Sequence, residues 1–213
     1  MEADFWHERW RENRLGFHQS DYNALLVAHF GLLALPDGAR VFVPLCGKTR
    51  DIAWLLEQGY RVAGAELSAL AVDQLFADLG IDPEVTQTDG LSHYAAPGVD
   101  LFAGDIFDLT AGRLGPVDAV YDRAALVALP YDMRPRYGAH LHEITGGAPQ
   151  FLLCFEYDQS LMDGPPFSVD AEEVARIHGA HYTLREAARR PVEGGLKGIV
   201  PAEEIAWILQ ARG

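Results

Sequence analysis

The feature that most constrains the fold is a pair of hydrophobic stretches joined by a turn and a helix. Residues 40–45 have the composition of a buried strand, and Gly47 follows them in a short turn. The next residues place their apolar side chains at helical spacing. A second apolar stretch, residues 60–66, ends on Glu66. Strand, turn, helix and strand in this order predict a βαβ unit, in which nucleotides bind at the carboxyl ends of the strands.

Glu66 carries information about the ligand of this unit. It follows Gly47 by 19 residues, about the spacing at which a carboxylate reaches the two hydroxyls of a ribose bound over the turn. A lone glutamate at a strand end can also be simply solvated. Its position at the carboxyl end of the second strand favours a ligand contact, and therefore an adenosine-containing cofactor.

The turn itself argues against phosphates in that cofactor. Gly47-Lys48-Thr49 matches the end of a P-loop, but that loop needs a glycine where Phe42 stands. The G-x-G-x-x-G turn of dinucleotide enzymes is absent, because Pro44, Leu45 and Cys46 fill the space where backbone must approach a pyrophosphate. A turn poor in glycine that retains the acid suits S-adenosylmethionine (SAM), which contains adenosine and no phosphate.

The rest of the chain repeats the alternation of strands and helices. An α/β fold is predicted, namely a Rossmann-like class I SAM-dependent methyltransferase fold with a mostly parallel seven-stranded sheet and helices on both faces. Residues 1–35 are predicted as an N-terminal helical cover, and residues 1–213 as a single domain. The seven strands are expected near residues 40–45, 60–66, 100–105, 117–122, 151–157, 181–190 and 205–209, the last two forming a hairpin.

Further candidate site residues stand at the ends of the later strands. Asp105 and Ile106 follow the third strand and could offer the adenine a polar and an apolar contact, although Gly-Asp also marks ordinary turns. Arg123 ends the fourth strand beside Asp122, and either pairs with that acid or contacts a ligand. Pro166 lies in a stiff turn that could wall a pocket or be simply a loop.

Composition excludes several classes of partner. The chain has 17 basic and 31 acidic residues, a net charge of −14, which disfavours binding to nucleic acid. No apolar run reaches the length of a membrane helix, and the acidic N-terminus does not resemble a secretory signal, so the cytoplasm is expected. The cysteines and histidines are not grouped at metal-ligand spacing, so no metal site is predicted.

Together these residues closely resemble the thiopurine S-methyltransferase family, particularly its bacterial members. The resemblance runs from residue 6 to about residue 180. The matching stretches are Trp6-His7-Glu8-Arg9-Trp10, Gly16-Phe17-His18, Val41-Phe42-Val43-Pro44-Leu45-Cys46-Gly47-Lys48, Glu66-Leu67-Ser68, Gly104-Asp105-Ile106-Phe107, Asp122-Arg123-Ala124-Ala125-Leu126-Val127-Ala128-Leu129 and Gly164-Pro165-Pro166-Phe167.

The resemblance implies roles that the residues alone do not. It implies a pocket covered by the N-terminal segment with Phe17, and it moves Trp10 from a helix face packed on the core to a ligand contact. Family members carry an arginine-bearing loop near the substrate after residue 185, where Arg189 and Arg190 are both candidates. The SAM contacts that it implies are Trp10, Leu45, Glu66, Ile106 and Arg123.

The implied reaction is transfer of the SAM methyl group to the sulfur of thiopurines and other aromatic or heterocyclic thiols. A small-molecule thiol is the expected partner and a monomer the expected state, with Arg123 as the candidate catalytic residue. Two alternatives are kept. One is a methyltransferase of the same fold that acts on selenium, tellurium, halide or thiocyanate species. The other is a non-catalytic module that binds SAM.

Overall fold

The computed structural model describes residues 3–12, 21–88 and 90–212. The strands in these ranges are β1 (Arg40–Val43), β2 (Arg61–Glu66), β3 (Glu84–Thr88), β4 (Leu91–Ala96), β5 (Val99–Ala103), β6 (Ala119–Arg123), β7 (Gln150–Glu156), β8 (Tyr182–Pro191) and β9 (Glu203–Ala211). The helices are α1 (Ala3–Arg11), α2 (Ala24–His29), α3 (Asp51–Glu57), α4 (Ala69–Leu79), α5 (Ala111–Leu114), α6 (Arg134–Thr145) and α7 (Ala171–His178).

All nine of these strands form one sheet in the order β3-β4-β5-β2-β1-β6-β7-β9-β8. The five central strands, from β5 to β7, run parallel. The outer strands on both sides pair antiparallel, and β8 and β9 form the hairpin predicted for the C-terminal part of the chain. The α/β, Rossmann-like prediction is therefore confirmed.

The predicted seven strands and the mostly parallel sheet are wrong in detail. The structure adds the hairpin of β3 and β4, and four of the eight strand pairings are antiparallel, so the sheet is mixed. The hairpin was missed because β3 is an edge strand whose side chains at residues 84–87 are exposed. Such a strand buries no face, and so it lacks the alternation of apolar residues that predicts a strand.

The core lies in two layers, one on each face of the sheet. Along β1, Val41 and Val43 pack on one face, against α2, α3 and α4, whereas Phe42 packs on the other, against α5, α6 and α7. This alternation follows from the two-residue period of a strand. With both faces covered, the loops at the carboxyl ends of the parallel strands remain accessible to a ligand. The longest helix in the described ranges, α6, has 12 residues, and no helix there is both long and apolar enough to cross a membrane.

The imidazole of His178 is buried where α7 packs against α6 and β8. It is 1% exposed, and neither ring nitrogen has a hydrogen-bond partner among the described residues. Burial, and to a lesser extent the neighbouring His181, lower its pKa from 6.5 to about 4. The ring of Tyr182 lies 6.1 Å away. The folded protein therefore holds this imidazole in its neutral form at pH 7.

We expect this burial to make the protein acid-sensitive. As pH falls below 6.5 the unfolded chain protonates this imidazole, whereas the folded protein does so only near pH 4, so the free energy of unfolding decreases across that window. At about 1.4 kcal/mol per pKa unit, the loss reaches about 3 kcal/mol near pH 4. Urea unfolding of the wild type and His178→Leu at pH 7 and pH 4.5 measures it. The variant should lose less stability on acidification.

The matched control is His29→Leu. His29 is the last residue of α2 and lies outside the region where α7 packs against α6 and β8. On acidification this control should lose more stability than His178→Leu, because it keeps the buried imidazole of His178. An equal loss of stability in the wild type and His178→Leu would contradict the assignment.

Candidate active site

A cavity of about 620 Å³ opens at the carboxyl ends of the parallel strands. Leu45, Glu66, Asp105 and Arg123 line it, each at the end of a parallel strand or two residues after it. Helix α1, the loop after β7 and the loop between β8 and β9 complete its walls. This edge is where ligands bind to open α/β sheets, and the volume falls in the range of small-molecule sites.

Every predicted site residue that the structure describes lines this cavity. These residues are Trp10, Leu45, Glu66, Asp105, Ile106, Arg123 and Pro166. Phe17, predicted for the substrate pocket, lies outside the described residues. The structure thus brings together residues that are far apart in sequence, while their contacts with a ligand remain predictions.

The carboxylate of Glu66 is buried and held by two backbone amides. Oε2 accepts a hydrogen bond from Gly47 N at 2.8 Å, and Oε1 accepts one from Ser68 N at 2.9 Å. Burial raises the pKa of Glu66, against the opposing effect of these amides. An ionised carboxylate has about four lone-pair sites, so the amides leave this carboxylate able to accept a hydrogen bond from a ribose hydroxyl.

Trp10 lies directly against the turn that follows β1. A Cβ added to Gly47 would lie 3.1 Å from Cζ2 of the indole, and Gly47 has a φ of +53°. The indole is only 4% exposed, although it lines the cavity. Helix α1 is therefore seated over the turn, as expected for a cover segment.

Strained backbone also concentrates at the cavity. Outside glycine, the described residues with positive φ are Ala34, Leu45, Ala124 and Lys197, and the last three line the cavity, with φ values of 45°, 61° and 54°. Left-handed backbone at residues other than glycine costs about 1–3 kcal/mol each and collects at functional sites. The clustering supports a binding or catalytic role for the cavity.

The loop after β5 gives the cavity a polar and an apolar wall. Asp105 Oδ1 accepts a hydrogen bond from Phe107 N at 3.0 Å, so this carboxylate also shapes the turn, while Ile106 is buried. Arg136 places its guanidinium 3.8 Å from the centre of the Phe107 ring, and both residues line the cavity. This pair could not be predicted from the sequence, because Arg136 lies on α6 and no local pattern connects it to the loop.

Arg123 does not pair with Asp122, so that alternative is wrong. Consecutive residues of a strand point to opposite faces of the sheet. Asp122 is buried on its own side, where it accepts hydrogen bonds from the Tyr137 hydroxyl at 2.7 Å and from Leu126 N at 3.1 Å, and burial raises its pKa to about 6. Arg123 instead has Nη1 3.9 Å from Asp51 Oδ2 and 3.4 Å from Thr49 Oγ1.

The structure separates the two candidate arginines of β8. Arg190 lines the cavity and donates from Nε to Glu204 Oε2 at 2.9 Å. Arg189 forms ion pairs instead with Glu156, Glu186 and Glu203, which are exposed carboxylates away from the cavity. Arg190 is therefore the arginine of this pair that a ligand in the cavity can reach.

Two loops that line the far side of the cavity are joined to each other. Lys197 Nζ donates to Pro165 O at 2.6 Å, and the Tyr157 hydroxyl donates to Pro166 O at 2.7 Å. Pro166 thus lies in a part of the cavity wall that is held by hydrogen bonds.

Comparisons with known proteins agree with this geometry. The family model described as thiopurine S-methyltransferase matches residues 1–197. A protein of Xanthobacter autotrophicus named thiopurine S-methyltransferase is 59% identical over 211 residues, covering 99% of each chain. A protein of the same name from Acinetobacter baylyi is 48% identical over 217 residues, covering all of both chains.

Solved structures support the fold at lower identity. The 1,6-didemethyltoxoflavin-N1-methyltransferase of Burkholderia thailandensis, with bound S-adenosylhomocysteine, has a TM-score of 0.65 at 19% identity over 99% of this chain and 87% of that chain. The magnesium protoporphyrin IX methyltransferase of Synechocystis has a TM-score of 0.65 at 13% identity over 98% and 99%. With the sequence relatives above, these matches confirm the predicted family: the chain belongs to the thiopurine S-methyltransferase family.

Proposed function

We propose that this protein is a SAM-dependent S-methyltransferase that methylates the sulfur of thiopurines and other aromatic or heterocyclic thiols. The observation that carries the proposal is the buried Glu66 carboxylate, held by backbone amides at the strand end beside a turn poor in glycine. That combination suits a ribose without phosphates. The names of the closely related proteins support the choice of a thiopurine sulfur as acceptor.

The described residues divide the binding of the two reactants between them. Glu66 would accept hydrogen bonds from the ribose, and Asp105 would take a polar edge of the adenosine. Trp10, Leu45 and Ile106 give the apolar surface that a flat base needs, and all of them line the cavity. Pro166 and Arg190 line other parts of the cavity wall, which we assign to the thiol that accepts the methyl group.

When bound, SAM supplies a methyl group on a positively charged sulfur, and this sulfur is the leaving group when a thiolate attacks the methyl carbon from the opposite side. The chain's contribution is alignment of the reactants and exclusion of water, and such positioning is worth about 7–11 kcal/mol. An aromatic thiol is already largely ionised near neutral pH, so it needs no strong general base. Arg123, with its guanidinium at the cavity wall, stabilises either this thiolate or the carboxylate of SAM.

The test is a panel of acceptors incubated with the protein and labelled SAM. The panel contains thiophenol, a thiopurine, selenite and a halide, and mass spectrometry identifies the methylated product. We expect methylation of the two aromatic or heterocyclic thiols, because the cavity offers a largely apolar site beside cationic side chains.

The same panel identifies the alternatives. Methylation of selenite or halide without the aromatic thiols would replace the proposal with a methyltransferase of small inorganic species. Binding of SAM without turnover of any acceptor would indicate a non-catalytic module.

The proposal extends to the setting of the reaction. We propose a single-domain, cytoplasmic monomer that acts on a small molecule and has neither nucleic acid nor a membrane as partner. The net charge of −14 supports the absence of nucleic acid and of a membrane as partners, because an acidic surface repels phosphate backbones and anionic lipids.

A further inference from the structure

Asn23 is a buried residue whose polar atoms all make hydrogen bonds, either within its own helix or to other segments. It is 1% exposed and stands at the N-cap of α2. Its side-chain Oδ1 accepts from Leu25 N and Leu26 N, at 2.9 and 3.2 Å. Its backbone N–H donates to Asp51 Oδ1 at 2.8 Å, and its side-chain Nδ2 donates to Glu204 Oε1 at 2.8 Å.

The two carboxylates bound by Asn23 hold the two arginines already placed at the cavity. The second oxygen of Asp51, Oδ2, lies 3.9 Å from Nη1 of Arg123 and accepts the hydroxyl of Tyr121 at 2.8 Å. The second oxygen of Glu204 accepts from Nε of Arg190 at 2.9 Å. One asparagine therefore joins an arginine at the end of β6 to an arginine on β8.

Burial makes this arrangement sensitive to its central residue. The exposed fractions of Asp51 and Glu204 are 2% and 4%, so each carboxylate depends on protein donors to replace water. Asn23 gives a donor to both carboxylates without adding charge, and each carboxylate has an arginine as its counterion. Loss of one donor would leave a buried carboxylate oxygen short of a partner, and the arginine on that carboxylate would shift with it.

We infer that Asn23 is a positioning residue that fixes Arg123 and Arg190 relative to each other at the cavity. The inference rests on the proposed function, since it takes the cavity as the place where an anionic thiol meets these two arginines. Asn23 itself is not part of the cavity wall and acts through Asp51 and Glu204. Its replacement should therefore raise the KM for the thiol and lower kcat, while the helix cap is a separate role of the same side chain.

Two substitutions separate the two roles of the Asn23 side chain, which caps α2 and donates a hydrogen bond to Glu204. Asn23→Ser keeps a good N-cap and the backbone bond to Asp51, but its hydroxyl is one bond closer to the backbone than Nδ2 of asparagine and does not reach Glu204 from the cap position. Asn23→Ala loses the cap as well. We expect the serine variant to lose about tenfold in kcat/KM for a thiol and to unfold at a lower temperature than the wild type, because the buried Glu204 oxygen loses its donor. The alanine variant should lose a similar factor in kcat/KM and unfold at a still lower temperature, because it also loses the helix cap. Wild-type kinetics in the serine variant would overturn the inference.

A double-mutant cycle supplies a readout that a purely structural role would not move. In the background Arg190→Met, the change Asn23→Ser should have little further effect on kcat/KM, because the arginine that it positions is absent. Independent, additive losses of tenfold or more would contradict positioning through Arg190.

A measurement without turnover keeps the inference separate from the proposed function. Nitrogen NMR of the arginine Nε–H groups reports the bond from Arg190 to Glu204 directly. We expect a slowly exchanging Nε–H signal of Arg190 in the wild type and fast exchange in Asn23→Ser. Equal exchange in both proteins would overturn positioning, even if the protein methylates thiols. Slow exchange in the wild type alone, with no acceptor methylated, would overturn the proposed function and leave the positioning standing.

Discussion

Replacing Arg123 with methionine is expected to lower kcat/KM for an aromatic thiol by roughly 100- to 1000-fold, the size seen when one preorganised donor to a developing or resident charge is removed. The free energy of unfolding should change much less than the activity. Asp51 keeps its bonds from Asn23 N and the Tyr121 hydroxyl, so the cost should stay near 1–3 kcal/mol. Steady-state kinetics with a thiophenol, together with urea unfolding, measures both.

Variants of Arg123 also show whether its guanidinium stabilises the thiolate of the substrate or the carboxylate of SAM. If it stabilises the thiolate, Arg123→Met should shift the pH–rate profile towards higher pH and leave SAM affinity nearly unchanged. If it binds the carboxylate of SAM, calorimetric affinity should fall instead. Arg123→Lys keeps the charge without the planar fork and should recover part of the activity. Arg61→Met is the matched control, since this exposed arginine lies at the first residue of β2. Full activity in Arg123→Met would contradict the role.

Replacing Glu66 with alanine is expected to weaken SAM binding by roughly tenfold to 100-fold. A hydrogen bond to a charged group contributes about 1.5–3 kcal/mol, and 1.4 kcal/mol corresponds to a factor of ten in affinity. Glu66→Asp should also bind weakly, because the shorter carboxylate cannot keep its bonds to Gly47 N and Ser68 N and still reach the ribose. Isothermal titration calorimetry with SAM measures these affinities.

The control for Glu66 is Glu57→Ala. Glu57 accepts the Tyr22 hydroxyl on the surface, so its loss removes a carboxylate without touching the cavity. It should bind SAM like the wild type. Unchanged SAM affinity in a folded Glu66→Ala protein would exclude the carboxylate from ribose recognition. It would also contradict the prediction that the βαβ unit binds the adenosine of the cofactor through Glu66.

The part of the site that the sequence could predict is the part built by parallel strands. Leu45, Glu66, Asp105 and Arg123 each stand at a strand's carboxyl end, and all parallel strands end at the same edge, so sequence position alone places them together. Trp10 required the family resemblance, because an aromatic residue on a short amphipathic helix packs against the core by default.

The features that were missed depend on contacts between distant segments. The link from Asn23 to Glu204 spans 181 residues, and no periodicity connects them. The same holds for Arg136 over Phe107, which requires α6 to cross the loop after β5. Pairing with Asp122, one of the two alternatives for Arg123, fails because a strand turns neighbouring side chains to opposite faces, and the sequence does not connect Arg123 with Asp51.

The contact between Trp10 and Gly47 links variation at two distant positions of the chain. Any side chain at position 47 would meet the indole within 3.1 Å on a backbone of positive φ, so the turn accepts a substitution only if the ring gives way. A smaller residue at position 10 would in turn uncover the turn. In homologous sequences these two positions should therefore evolve as a pair, and the N-terminal helix cannot be exchanged between relatives independently of the turn that it covers.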